Sequence, residues 1–168
     1  ATPGAGSPHH LATELFGQRS GIKLVHVPYR GAAPAVQDVM AGLVPFMFVD
    51  TATGYPNILA GKLRPIGIAS PKRSASFDSV PTLQEQGLKG FEAFAWQGLV
   101  APAGTPQAVV SQLNKVLNDA IGTTAVRARF QTLGLEAIPG TPAQMDSYAK
   151  AEREKWGQVI KAANIKLD

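Results

Sequence analysis

A chain of 168 residues is long enough for one core or two small ones, and 45% apolar against 17% charged residues argues against disorder. The absence of cysteine removes disulfides, thiolate catalysis and cysteine-type zinc sites, and no apolar run approaches the roughly 18 residues of a membrane span. The net charge of +4 is spread over scattered lysines and arginines without a basic stripe, so nucleic acid is not an expected partner, while a mild positive field favours small acidic ligands.

The chain opens on Ala1-Thr2-Pro3-Gly4-Ala5-Gly6-Ser7-Pro8-His9-His10, a glycine-rich turn running into a helix. Ser7 suits the N-cap, Pro8 suits the first helical position, and Leu11, Leu15 and Phe16 give an apolar stripe. A helix is therefore predicted over Pro8–Arg19. Such a junction aims N–H groups and the positive end of a helix dipole at one point, which suits an anion. The strand that normally leads into such a loop is missing, so the chain is expected to begin inside a domain. No basic-plus-hydrophobic leader is present, and any export signal is expected to have been removed or to lie outside this sequence.

Lys23–Val27 reads as a strand and Pro28–Ala33 as a second loop. Pro34 opens a helix carrying Val36, Val39 and Met40, and Gly42 ends it. Pro45–Val49 is a short apolar run bounded by Asp50. Thr53–Ala60 reads as a helix closed by Gly61, and Arg64–Ala69 as a further strand. This alternation implies an α/β fold with a parallel sheet flanked by helices. The rhythm changes after Ser70. A short helix is predicted at Thr82–Gln86, and Phe91–Val100 reads as a strand with Phe94 and Trp96 as packing residues. A helix over 106–121 carries the stripe Val110, Leu113, Leu117 and Ile121. Thr124–Leu133 is another helix and Leu135–Ile138 a short strand. Thr141-Pro142 caps a final helix to Ala163, with Met145, Tyr148, Trp156 and Ile160 on its buried side.

Three loops are expected to converge on one edge of the sheet: Gly4-Ala5-Gly6-Ser7, Gly31-Ala32-Ala33 and Asp50-Thr51. Ligands of open α/β sheets bind at the carboxyl ends of strands, so this edge is the expected site. His10, beside a helix N-terminus, is placed to donate to a bound anion, or else to pack or cap. Asp50 reads either as a helix cap or as a ligand group. The loop lacks the Gly-Lys-Ser/Thr of a P-loop and the full dinucleotide fingerprint. Adjacent His9 and His10, without a carboxylate at matching spacing, do not make a metal site. Ser7, His10 and Asp50 have the residue types of a nucleophilic triad but not its strand–Gly-x-Ser-x-Gly–helix elbow. No catalytic residue, metal or cofactor is therefore expected. The alternative reading is an enzyme, or a nucleotide- or phosphate-binding module, using the Gly4–Ser7 loop with His10 or Asp50 as general acid or base.

Several segments in order then resemble one family: Gly4-Ala5-Gly6-Ser7-x-x-His10-Leu11-Ala12, Val27-Pro28-Tyr29-Arg30-Gly31-Ala32-Ala33-Pro34-Ala35, Ile58-Leu59-Ala60-Gly61-Lys62-Leu63-Arg64, Val80-Pro81-Thr82, and Trp96-x-Gly98-Leu99-x-Ala101-Pro102-Ala103-Gly104-Thr105-Pro106. They look like the solute-binding proteins of tripartite tricarboxylate transporters, the Bug family, over roughly the C-terminal half of a member. The resemblance implies a periplasmic-binding-protein fold of type II, incomplete relative to the family. It implies a periplasmic protein that captures a small organic carboxylate and meets the membrane subunits of a transporter. Residues 1–92 would form the second, ligand-binding lobe without its start, 93–102 a crossing strand or hinge, and 103–168 a mainly helical part of the first lobe. Gly6 and Ser7 N–H groups with the Ser7 hydroxyl would hold the carboxylate. Asp50 would receive a donor from the ligand or a bridging water. The apolar Phe46–Val49 hints at aromatic or aliphatic character in the solute. An N-terminal segment or self-association is expected to complete the fold.

Overall fold

Ser7 starts the first helix. In the computed structural model, which describes residues 1–74, 77–133 and 135–166, α1 (Pro8–Ser20) has Ser7 as N-cap, Pro8 at its first turn and Gly21 as a left-handed C-cap. The Ser7 hydroxyl accepts from His10 N at 3.2 Å, satisfying one of the N–H groups that a helix start leaves without a partner. α2 (Ala32–Met40) begins two residues before the predicted proline, because Pro34 still sits in the first turn, where no N–H is owed to the helix. Its N-cap Gly31 has φ 110°, a conformation that a side chain would resist, and supplies no side-chain cap. α3 (Thr51–Leu59) also starts early, because Asp50 is its cap: Oδ1 accepts from Thr53 N at 2.8 Å.

The short helix expected at Thr82–Gln86 is a set of turns. Its capping box is present: Thr82 N donates to Glu85 Oε2 at 2.7 Å, and Glu85 N donates to Thr82 Oγ1 at 3.1 Å. Arg73, followed by the Thr82 N–H, holds the Glu85 carboxyl down at about 2. Gly87, at φ 103°, closes the segment before a second turn forms. A good start signal therefore caps a single turn here, because the next residues do not continue it.

The expected strands do not assemble into a ladder among the described residues. Two isolated parallel bridges are formed, Thr2 with Pro28 and Ile68 with Thr82, and Ala93 N donates to Ala69 O at 2.9 Å. Pro28, Pro45 and Pro65 lie within or beside the predicted strands and bring no N–H to a ladder. The bridges have the predicted parallel sense, and the stretches around them are extended rather than paired continuously.

The chain divides into two compact units, Ala1–Ala95 with Trp156–Asp168, and Trp96–Lys155. The core of the first is Leu15, Leu83, Phe91 and Val159, with Phe16, Phe48, Leu88 and Trp156 packed on it. Phe16 meets Phe46, Phe48 and Phe91 edge-on with ring centroids 6.0–6.3 Å apart, an orientation favoured by the ring quadrupoles. Phe46 and Phe48 thus take part in this aromatic cluster. Beneath the first turn, Thr2 is fully buried. Its Oγ1 lies 2.6 Å from His26 Nε2, and the His26 ring stacks on His10 at 3.7 Å. Burial, then the neighbouring His10, then the chain's amino terminus lower the proton affinity of His26.

The second unit contains α4 (Gln107–Gly122), α5 (Thr124–Thr132) and most of α6 (Pro142–Ala162). Asn114 and Asn118 side chains donate to Gly140 O at 2.8 and 2.9 Å, and Gly140 N returns a bond to Asn118 Oδ1 at 3.1 Å. Thr141 and Gln144 then form the capping box of α6. Neither α4 nor α5 buries a residue. The predicted α4 stripe exists as a pattern, but Leu113 is 44% exposed. Trp96, expected as packing, is likewise exposed, with its ring edge on Tyr148 at 5.4 Å.

Phe91→Ala should lower unfolding free energy by about 3–5 kcal/mol in urea titrations, as a buried aromatic leaves a cavity. Leu113→Ala should cost less than about 1 kcal/mol, because its side chain is already wet. Stability should also depend on pH through His26. Its folded proton affinity is lowered, so the full stability is present above the ordinary imidazole value near 6.5 and is lost as pH falls below it. Urea midpoints measured on either side of that value should differ, and His26→Gln should shrink the difference.

Candidate functional site

The loop Gly4–Ser7 is held by its own polar groups. Gly4 O accepts from Ser7 Oγ at 2.8 Å, from Thr2 Oγ1 at 3.3 Å and from Ser7 N at 3.4 Å. Gly6 N donates to His10 Nδ1 at 3.1 Å. The Ser7 hydroxyl, with one proton, therefore spends it on Gly4 while accepting from His10 N. The groups expected to receive a carboxylate, Gly6 N–H, Ser7 N–H and the Ser7 hydroxyl, are all engaged inside the turn. Ala5 stands exposed at its tip.

The second loop is tied to the first by backbone. Thr2 N donates to Val27 O, Tyr29 N to Thr2 O and Gly31 N to Pro3 O, at 3.1, 2.9 and 2.9 Å. Tyr29 Oη donates to Asp38 Oδ2 at 2.6 Å, fixing the approach to α2 on that helix's own side chain. Ala32 and Ala33 are the first two residues of α2, and Ala33 is exposed. Of the three helix starts in this cluster, α2 is the one without a side-chain cap. Its leading N–H groups and the positive end of its dipole are the least satisfied of the three.

The third loop joins through His9. Its Nε2 lies 3.7 Å from Asp50 Oδ2, linking the starts of α1 and α3. Asp50 Oδ2 also accepts from Thr53 Oγ1 at 3.0 Å, so its carboxylate is committed to capping and to His9. Thr51 is the first residue of α3. His9 Nδ1 is buried without a hydrogen-bond partner. Burial lowers the proton affinity of His9, and Asp50 opposes that shift more weakly.

His10 is buried at 6% exposure, stacked on His26, with Nε2 3.5 Å from Glu14 Oε1. The roles of Thr2, His9 and His26 were not legible in the sequence. No spacing rule relates Thr2 to His26, and the His9–Asp50 pair spans 41 positions. A cavity of about 310 Å³ opens behind the loop, lined by Gly6, Leu11, Ile160 and Ile165. Three of those side chains are aliphatic, so it does not suit an anion. Among the described residues no cluster of three or more His, Asp or Glu side chains could hold a metal ion, and no helix is long and apolar enough to cross a membrane.

Comparison with known proteins agrees along the chain. The protein encoded in the tcbD–tcbE intergenic region of Pseudomonas sp. strain P51 is 40% identical over 161 residues, covering 95% of this chain and 48% of that one. Rpa4515 of R. palustris, solved with adipate, superposes with a TM-score of 0.82 at 33% identity, over 95% of this chain and 54% of that one. MatC of Rhodopseudomonas palustris, solved with bound malate, gives 0.73 at 31% identity, over 92% and 54%. The chain thus spans about half the length of these proteins and shares their fold over that length. Residues 1–165 match the tripartite tricarboxylate transporter family receptor, TctC, and the chain belongs to that family.

Proposed function

We propose that this chain carries the anion-accepting part of a receptor for a small organic carboxylate. The observation that carries the reading is the meeting of three helix starts: Gly31 N donates to Pro3 O at 2.9 Å, and His9 Nε2 approaches Asp50 Oδ2 to 3.7 Å. Each start presents partial positive charge, and the start of α2 keeps its first N–H groups without a side-chain cap. A carboxylate placed beside Gly31 gains charge-assisted bonds from the Ala32 and Ala33 N–H groups, since the Gly31 N–H already donates to Pro3 O. The Gly4–Ser7 turn, with His10 behind it, forms the adjoining wall. Asp50 and Thr51 border the site, and the Asp50 charge, already shared with His9 and Thr53, disfavours a second carboxylate close to it. Adipate in Rpa4515 and malate in MatC support acids of this size as ligands. The site holds no group arranged for covalent chemistry, since Ser7 donates to Gly4 O and not to a base.

A receptor that serves a membrane transporter meets its solute outside the cytoplasmic membrane, so the periplasm is the inferred location and the transporter's membrane subunits the inferred partners. The proposal assigns residues 1–92 to the ligand lobe, 93–102 to the crossing segment and 103–168 to the other lobe. The compact unit Ala1–Ala95, which also takes in Trp156–Asp168, supports the first boundary.

Titration calorimetry with adipate, malate, a tricarboxylate, an aromatic acid and an amino acid should give saturable binding for at least one, and nucleotides should give none. Heat with nucleotides alone would favour a phosphate-binding module. Ala33→Glu is the sharper test. A glutamate in the first turn should stabilise α2 by about 0.3–1 kcal/mol. The same charge should weaken the acid by about tenfold or more, equivalent to at least ~1.4 kcal/mol. Unchanged affinity in a well-folded Ala33→Glu protein would put the carboxylate elsewhere.

A further inference from the structure

The bond from Gly6 N to His10 Nδ1, at 3.1 Å, lies in the wall of the proposed carboxylate site. A backbone N–H can only donate, so Nδ1 is the acceptor and the imidazole keeps its proton on Nε2, facing Glu14 Oε1 at 3.5 Å. The ring has little room to turn away, being 6% exposed and stacked on His26 at 3.7 Å and 10°. A carboxylate reaching this loop competes with the imidazole lone pair for the same donor.

We propose that His10 is a ligand-exchange residue: an incoming carboxylate takes over the Gly6 N–H, and the displaced imidazole binds a proton at Nδ1 and donates it back to the carboxylate. This rests on reading the site as a carboxylate receptor. The bookkeeping is closed. The Gly6 N–H···Nδ1 bond breaks, Gly6 N–H···O and Nδ1–H···O bonds form, and the proton comes from solvent. One negative charge enters with one positive charge, so the site's net charge does not change.

Glu14 Oε1 faces Nε2 at 3.5 Å on the same helix, and the incoming carboxylate would face Nδ1, so the displaced ring lies between two carboxylates. His26 packs face to face with His10, and the chain's amino terminus acts on it in turn. Two stacked cations would repel, and burial already holds His26 towards its neutral form. Asp50 is engaged by His9 and Thr53. Gly6 sits at φ 69°, a left-handed conformation that glycine adopts without strain.

The test is calorimetry of the whole chain with adipate and with malate at mildly alkaline pH, where ordinary imidazoles are neutral, in buffers of different ionisation enthalpy. The expected heat varies linearly with buffer enthalpy, with about one proton taken up per ligand, and affinity falls about tenfold per pH unit in that range. His10→Asn keeps an acceptor for Gly6 but cannot titrate. It should bind with no proton uptake. Buffer-independent heat in the unmodified protein, or an unchanged slope in His10→Asn, overturns the exchange while leaving the receptor reading intact. Absence of heat with every acid overturns the receptor reading and the exchange with it. If His10→Asn does not fold, nitrogen NMR of the His10 ring in the unmodified protein decides. Nδ1 must change from acceptor to protonated type on saturation, and an unchanged Nδ1 signal refutes the exchange.

Discussion

The turn from Thr2 to Ser7 has to satisfy its own polar groups before α1 can begin. It does so around one carbonyl, Gly4 O, which accepts from Ser7 Oγ and from Thr2 Oγ1. Thr2 in turn is fully buried, bonded to Val27 and Tyr29 through its backbone and to His26 through its side chain. Each bond is worth about 1 kcal/mol net, but leaving any of these buried groups unpaired would cost about 1–3 kcal/mol. The network is therefore cooperative in its failure, and it fixes where α1 and the approach to α2 stand.

That arrangement separates capping from binding. Ser7 and Asp50 are spent on their own helices, and the glycine at position 31 leaves α2 without the equivalent group. A serine or aspartate there would fill the place that the proposal gives to a ligand. The same logic gives His10 its double character. It completes the turn by accepting from Gly6, and it is the ring that a ligand group taking over that bond would face.

Helices were legible in the sequence wherever caps and breakers flank a periodic run. Ser7-Pro8 and Thr141-Pro142 mark starts within a residue, because the cap chemistry is local. The starts of α2 and α3 were placed two residues late, since Pro34 and the threonines at 51 and 53 sit inside the first turn. The sheet was read from apolar runs, and among the described residues these meet in two isolated parallel bridges rather than a continuous ladder. The α4 stripe shows the limit of periodicity: Leu113 and Leu117 are exposed while Val110 and Ile121 are half-buried, because a pattern specifies a face and not what covers it. Among the site residues, the loops themselves were legible from glycine and cap chemistry. The internal use of the Ser7 hydroxyl and the Gly6 N–H was not, because it depends on which acceptor lies nearest in space.

The central claim is that a small carboxylate is received at the joined helix starts, with α2 as its principal donor. Amide chemical-shift mapping during titration with adipate tests it most directly. The largest shifts are expected at Gly31, Ala32, Ala33 and Gly6, with little change along α4. Saturable binding whose largest shifts fall on α4, or anywhere outside those three loops, would contradict it.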